Sequence, residues 1–122
     1  MKIAIPSDDN NINSTVCMSF GRTPFFLIYD TETEETEFIN NSAASSQGGA
    51  GIKAAQAVVD SKVSALLTPR CGQNAADVLA AAEITIYKTE APSLIENITA
   101  FKEGRLAPLK EIHAGFHGKH GG

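Results

Sequence analysis

Cysteine is scarce in this chain of 122 residues: Cys17 and Cys71 are the only two, too few for the disulfide framework on which small secreted folds depend. In a reducing compartment such a pair reads as free thiols, a redox couple or metal ligands. Positive charge is short as well. Ten Lys and Arg stand against 14 Asp and Glu, for a formal net charge of −4, and the pI is near 5.3. That balance argues against a broad electrostatic footprint on nucleic acid or anionic lipid. No apolar run approaches the ~18 residues of a membrane helix, and the start reaches Pro6 and Asp8 too soon for a signal peptide. A cytoplasmic protein with neither membrane nor nucleic acid as partner is the expectation. What remains, 43% hydrophobic residues over this length, suits one compact core.

The hydrophobic pattern gives an α/β order. Lys2 to Pro6 is a short β-branched run and reads as a buried strand. A loop from 7 to 24 follows, and loops longer than about 12 residues inside compact domains tend to be functional or disordered. Phe25 to Tyr29 is continuously apolar, as a strand covered on both faces should be. Glu35 to Ile39 alternates with glutamates that suit an edge strand. After the small-residue loop from Asn40 to Gly51, Ile52, Ala55, Val58 and Val59 mark a helix; Val63 to Leu67 reads as a strand; Ala75, Val78, Leu79 and Ala82 mark a second helix; Ile84 to Tyr87 is a last strand. Ser93-Leu94-Ile95-Glu96 is a capping box opening a third helix, and Gly104 stands where a C-terminal cap belongs. A meander leading into two right-handed crossovers predicts a five-stranded mixed sheet, order 3-2-1-4-5, with three helices. The domain should span 1–106, and residues 107–122 read as a flexible His/Gly-rich tail.

In that topology the loops at 7–24, 40–51 and 68–72 meet at the rim where ligands of open α/β sheets bind. Gly48, Gly49 and Gly51 let backbone amides approach a ligand, and a helix N-terminus just beyond them favours an anion. The blander reading is tight turns. Gly72 opens the next helix in the same way, and Arg22 and Arg70 add positive charge. Cys71 stands beside Arg70 at a helix N-terminus, an arrangement expected to lower its pKa and favour the thiolate that soft metals prefer. With Cys17 it makes half of a four-cysteine set for a metal–sulfur cluster; the alternative is that both cysteines behave as small hydrophobes. His113, His117 and His120 lie in the Gly-rich terminus, a composition that binds divalent metal ions.

Three blocks carry a family resemblance: Met1-Lys2-Ile3-Ala4-Ile5-Pro6-Ser7-Asp8, Ser19-Phe20-Gly21-Arg22-Thr23-Pro24-Phe25-Phe26-Leu27-Ile28-Tyr29-Asp30, and Gly48-Gly49-Ala50-Gly51-Ile52-Lys53-Ala54-Ala55-Gln56. Over residues 1 to about 106 the chain resembles the dinitrogenase iron–molybdenum cofactor biosynthesis family, of the NifX and NifB C-terminal-domain type. The resemblance implies a ribonuclease H-like motif and a carrier, not an enzyme, for an iron–sulfur or iron–molybdenum-type cluster, working between metallocluster assembly proteins as donor and acceptor. It implies a site on 14–22, 48–51 and 70–74, in which Phe20, Gly21, Arg22 and the 48–51 glycines come from the resemblance. Cys17 and Cys71 are assigned on chemistry alone. Monomer or weak homodimer is the expected state, a cluster shared between two subunits being one way to complete the ligand count.

Two other readings stand beside this one. A metal-dependent nuclease on the same architecture would need clustered carboxylates; the first strand offers Ile3, Ala4 and Ile5, the fourth ends in Thr68-Pro69-Arg70-Cys71, and Asp8 and Asp9 suit a turn. A regulatory or interaction domain with a plain anion pocket would leave the cysteines incidental.

Overall fold

The computed structural model describes residues 1–109. Five strands, β1 (Lys2–Ser7), β2 (Phe25–Asp30), β3 (Thr36–Asn40), β4 (Ala65–Thr68) and β5 (Thr85–Lys88), form one sheet in the order β3-β2-β1-β4-β5. β1 runs antiparallel to β2 and parallel to β4, β2 antiparallel to β3, and β4 parallel to β5. The helices are α1 (Ala50–Asp60), α2 (Gln73–Ala81) and α3 (Leu94–Lys102), with a short 3-10 turn over Ser42–Ser45. Order and directions are those the pattern predicts.

Burial explains the continuous apolar runs. Successive residues of a strand face opposite sides of a sheet, so Ala4, Phe26, Ile28 and Leu66 pack with α1 and α2, while Ile3, Ile5, Leu27, Tyr29 and Leu67 pack with α3. A strand with helices on both faces has no polar side. β3 at the sheet's edge keeps Thr36 and Glu37 exposed. α3 starts where the capping box places it: the Glu96 amide donates to Ser93 Oγ at 3.2 Å. Gly104 closes it with φ of +74°, a conformation glycine adopts without steric cost.

Several strand ends shift by one residue from the sequence pattern, and two differences are larger. β4 begins at Ala65, because Lys62 sits in the left-handed region with φ of 60° and carries the turn out of α1, so that the chain first bonds to the sheet at Ser64, whose amide donates to Lys2 O at 2.8 Å. At the other end, the Lys88 amide donates to the Ala107 carbonyl at 2.8 Å, and the Leu109 amide to the Ile86 carbonyl at 2.9 Å. Residues 107–109, assigned by pattern to the tail, thus lie along β5. Backbone pairing at a sheet edge leaves no periodicity in three residues, one of them Pro108. His113, His117 and His120 lie outside the described residues. Among the described residues, no helix is long and apolar enough to cross a membrane.

Candidate functional site

The three loops meet. Residues 18–21, 49–52 and 70–75 line one cleft of about 420 Å³, at the C-terminal ends of β1 and β4. The first stretch leaves the 8–17 excursion, which is tied down by the Cys17 amide donating to Pro6 O (2.9 Å) and the Val16 amide to Pro92 O (2.8 Å). The second is the first turn of α1 and the third leads into α2. Met18, 64% exposed, and Ile52, 44% exposed, form an apolar rim.

The two helix starts at this cleft are unlike the third. α1 has Gly49 as its N-cap and α2 has Gly72; neither receives a side-chain capping bond, and neither carries an acidic residue in its first turn. α3 has both, Ser93 and Glu96. The first amides of a helix lack intrahelical partners and carry partial positive charge. Where side chains satisfy them, as in α3, they are neutralised locally. In α1 and α2 neither N-cap side chain nor first-turn acid does so among the described residues, and both ends open on one cavity. Such an arrangement suits an anion.

Glycines make the arrangement possible in distinct ways. Gly49 sits at φ of +68°, where a side chain would be strained. A Cβ on Gly21 would lie 3.0 Å from Gly51 N and 3.2 Å from Gly51 Cα, so the loop rests directly on the first turn of α1. At Gly48 and Gly72 an added Cβ would meet nothing within 4 Å.

Cys71 lines the cleft but is only 2% exposed. Burial pushes its thiol up from the ordinary 9.0 to about 11, opposite to the lowering expected from Arg70 and the helix end. Desolvation disfavours the charged thiolate, and it is the cause of the rise. At neutral pH the thiol is protonated and approaches the Gly72 carbonyl at 3.6 Å. Cys17 is half-buried, its sulfur 3.6 Å from the Ser19 carbonyl; it is adjacent to Met18 but does not itself line the cleft. Among the described residues, no group of three or more His, Cys, Asp or Glu is placed to hold a metal ion.

Of the other predicted site residues, Gly21, Gly49, Gly51, Arg70 and Gly72 line the cleft. Phe20 also borders it, with its ring packed 5.4 Å from that of Phe26 in the core. Gly48 lies one residue outside. Arg22 faces elsewhere: its Nη1 donates to the carbonyls of Ala44 (3.0 Å) and Ser46 (2.5 Å). Sequence reasoning missed Asn41, which is buried and whose Nδ2 donates to Gly21 O (3.1 Å) and Thr23 O (2.9 Å). Its only sequence signal is an Asn at the head of a small-residue loop, which reads as an ordinary turn.

Comparison with known proteins identifies the family and the fold. A profile of the family described as "Dinitrogenase iron-molybdenum cofactor" matches residues 1–104. An uncharacterized protein of Methanocaldococcus jannaschii, MJ0580, is 33% identical over 109 residues, covering 87% of this chain and 89% of its own. The apo form of the orange protein from Desulfovibrio gigas superposes with a TM-score of 0.83 at 29% identity, over 89% of this chain and 96% of that one. A proposed NifB protein from Thermotoga gives a TM-score of 0.80 at 36% identity, over 93% and 97%. Since the profile spans every strand and helix described, the chain belongs to the dinitrogenase iron–molybdenum cofactor family.

Proposed function

We propose that the protein binds an anionic metal–sulfur cluster, of iron–sulfur or iron–molybdenum type, in this cleft and carries it between metallocluster assembly proteins without catalysing a reaction. One observation carries the reading: two helix N-termini, both without side-chain caps or first-turn acids, open on the same cavity, in a chain whose overall charge is negative. An anion there receives hydrogen bonds from unpaired main-chain amides and the favourable ends of two helix dipoles. The family and the orange-protein and NifB-type neighbours supply the kind of anion.

The donor set favours a cargo that arrives assembled. The cleft wall offers one thiol, Cys71, where a cluster built on protein ligands usually takes four. A cluster whose own sulfides complete its coordination asks only for N–H donors, with Cys71 able to add one bond on losing its proton. Cys17 is a second ligand only if the 17–19 turn reorganises, so its contribution should be the smaller.

The test is purification without oxygen, elemental analysis, and titration with a preformed, negatively charged iron–sulfur cluster. The expected result is visible charge-transfer absorption at one cluster per chain, weakened by Cys71→Ser and less by Cys17→Ser. If wild type and double variant stay equally colourless and metal-free, the carrier reading fails. The protonated state of Cys71 favours the second reading, a pocket for a small non-metal anion held by amides alone; phosphate or sulfate binding that competes with no cluster would support it.

A further inference from the structure

We infer that Arg22 is a positioning residue: it fixes the shape of the cleft through the main chain and does not contact the cargo. This rests on the cluster-binding reading above for its affinity readout, while its structural readout stands without it.

The cleft has two walls. One is made of residues 18–21 and 49–52, the other of 70–75. The first wall is discontinuous in sequence, and the segment that leads from β3 into its second half, 41–48, contains a single turn of 3-10 helix and no strand. Such a segment has little regular backbone bonding to hold it. Side chains hold it instead. Arg22 Nη1 donates to Ala44 O at 3.0 Å and Ser46 O at 2.5 Å. Asn41 Nδ2 reaches back to Gly21 O and Thr23 O on either side of Arg22, while Asn41 Oδ1 accepts from the Ala43 amide at 3.2 Å. Ser46 Oγ donates to Gly48 O at 2.7 Å and accepts from Lys53 Nζ at 3.0 Å. The guanidinium thus stands at the centre of a clamp running from loop 20–23 to the start of α1.

The clamp has a definite geometric product. It presses Gly21 onto the Ala50–Gly51 backbone, where no Cβ would fit without displacement. The loop half and the helix half therefore form one surface. A planar, multi-donor head can bind two carbonyls at once, which a lysine ammonium on its flexible stem does less well. With its Nη1 engaged by two carbonyls, Arg22 serves the wall, and the anion is left to the amides of α1 and α2.

The test compares Arg22→Ala and Arg22→Lys with wild type. Three readouts are taken: affinity for the preformed cluster, the salt dependence of that affinity, and amide hydrogen exchange at residues 49–52 in the cargo-free protein. Removing a positioning residue should lower affinity about tenfold or more, leave the slope of affinity against salt unchanged, and speed exchange at 49–52; Arg22→Lys should restore part of each loss. Removing a direct anion ligand would instead flatten the salt dependence, since one screened charge is lost, and leave exchange at 49–52 as in wild type. That second pattern, or wild-type affinity and exchange in Arg22→Ala, overturns the inference. If Arg22→Ala is unfolded by circular dichroism, Arg22→Lys decides alone by hydrogen exchange, since it keeps the charge and with it the salt slope: faster exchange at 49–52 than in wild type supports the positioning role, and wild-type exchange overturns it. If wild type binds no cluster, the functional reading falls, and the exchange experiment still decides whether Arg22 holds the wall.

Discussion

Replacing Gly21 by alanine isolates the contact on which the cleft is built. The added methyl would stand 3.0 Å from Gly51 N, 3.2 Å from Gly51 Cα and 3.3 Å from Ala50 C. All three atoms are backbone in the first turn of α1, so no side chain can swing away. Gly21 is not among the glycines with positive φ, so the substitution carries no torsional strain; by restricting the unfolded chain it should even gain ~0.4–1 kcal/mol. Overpacking of this kind costs ~1–3 kcal/mol, and the net expectation is a loss of roughly 1–2 kcal/mol. Gly72→Ala is the matched control. Its Cβ meets nothing within 4 Å, and φ of −77° with ψ of 161° suits any residue, so the cost is that of a poorer N-cap alone, about 0.5 kcal/mol. Urea unfolding of both variants, with the slope checked for constancy, reads the difference directly. A Gly21→Ala protein as stable as wild type, or a Gly72→Ala protein as weakened as Gly21→Ala, would refute the close-approach argument.

Three further outcomes follow from the same physics. The Cys71 thiol, raised by burial to about 11 in the folded chain, stays protonated there while the unfolded chain ionises near the ordinary 9.0; its stabilising effect is therefore complete below pH 9 and lost as pH rises toward 11, and thermal melts across that window should show a decline that Cys71→Ala lacks. Asn97 is fully buried and binds the Glu90 and Ala91 amides and the Ala91 and Ser93 carbonyls, so Asn97→Ala should cost ~2–4 kcal/mol in denaturant unfolding by leaving buried groups unpaired; a loss under ~1 kcal/mol would show that water replaces it. His113, His117 and His120 together should bind one Zn²⁺ per chain by calorimetry, weakening as the imidazoles protonate below about pH 6.5, and the triple alanine variant should lose this binding while cluster affinity stays at the wild-type value.

How far the sequence could be read depended on whether the signal was local. The strands at Lys2 and Phe25, the Ser93 cap and the Gly104 stop were legible because hydrophobic period and capping chemistry act within a few residues. The rim of the sheet was legible too, because crossover handedness leaves few topologies for such an order of elements. Residues 107–109 were not, since pairing to β5 is a main-chain event that any residues can supply. The same blindness applied to the site. Arg22 reads as a cation for an anion until its carbonyl partners, more than 20 residues away, are seen. Cys71 reads as an activated thiol until its burial is known.

By itself, then, the amino-acid order determined the element sequence through short-range patterning and, through crossover handedness, the strand order and the convergence of three loops, while three sequence blocks carried the family resemblance. Only the tertiary structure decided which groups face the cavity and in what charge state. It opened the ends of α1 and α2 onto one cleft while Ser93 closed that of α3, and turned Arg22 away to hold the wall. It also buried Cys71, which raised its thiol where the local sequence predicts a lowering. The physical reason is that desolvation and hydrogen-bond partnership are properties of three-dimensional surroundings, and residues distant in the chain supply those surroundings here.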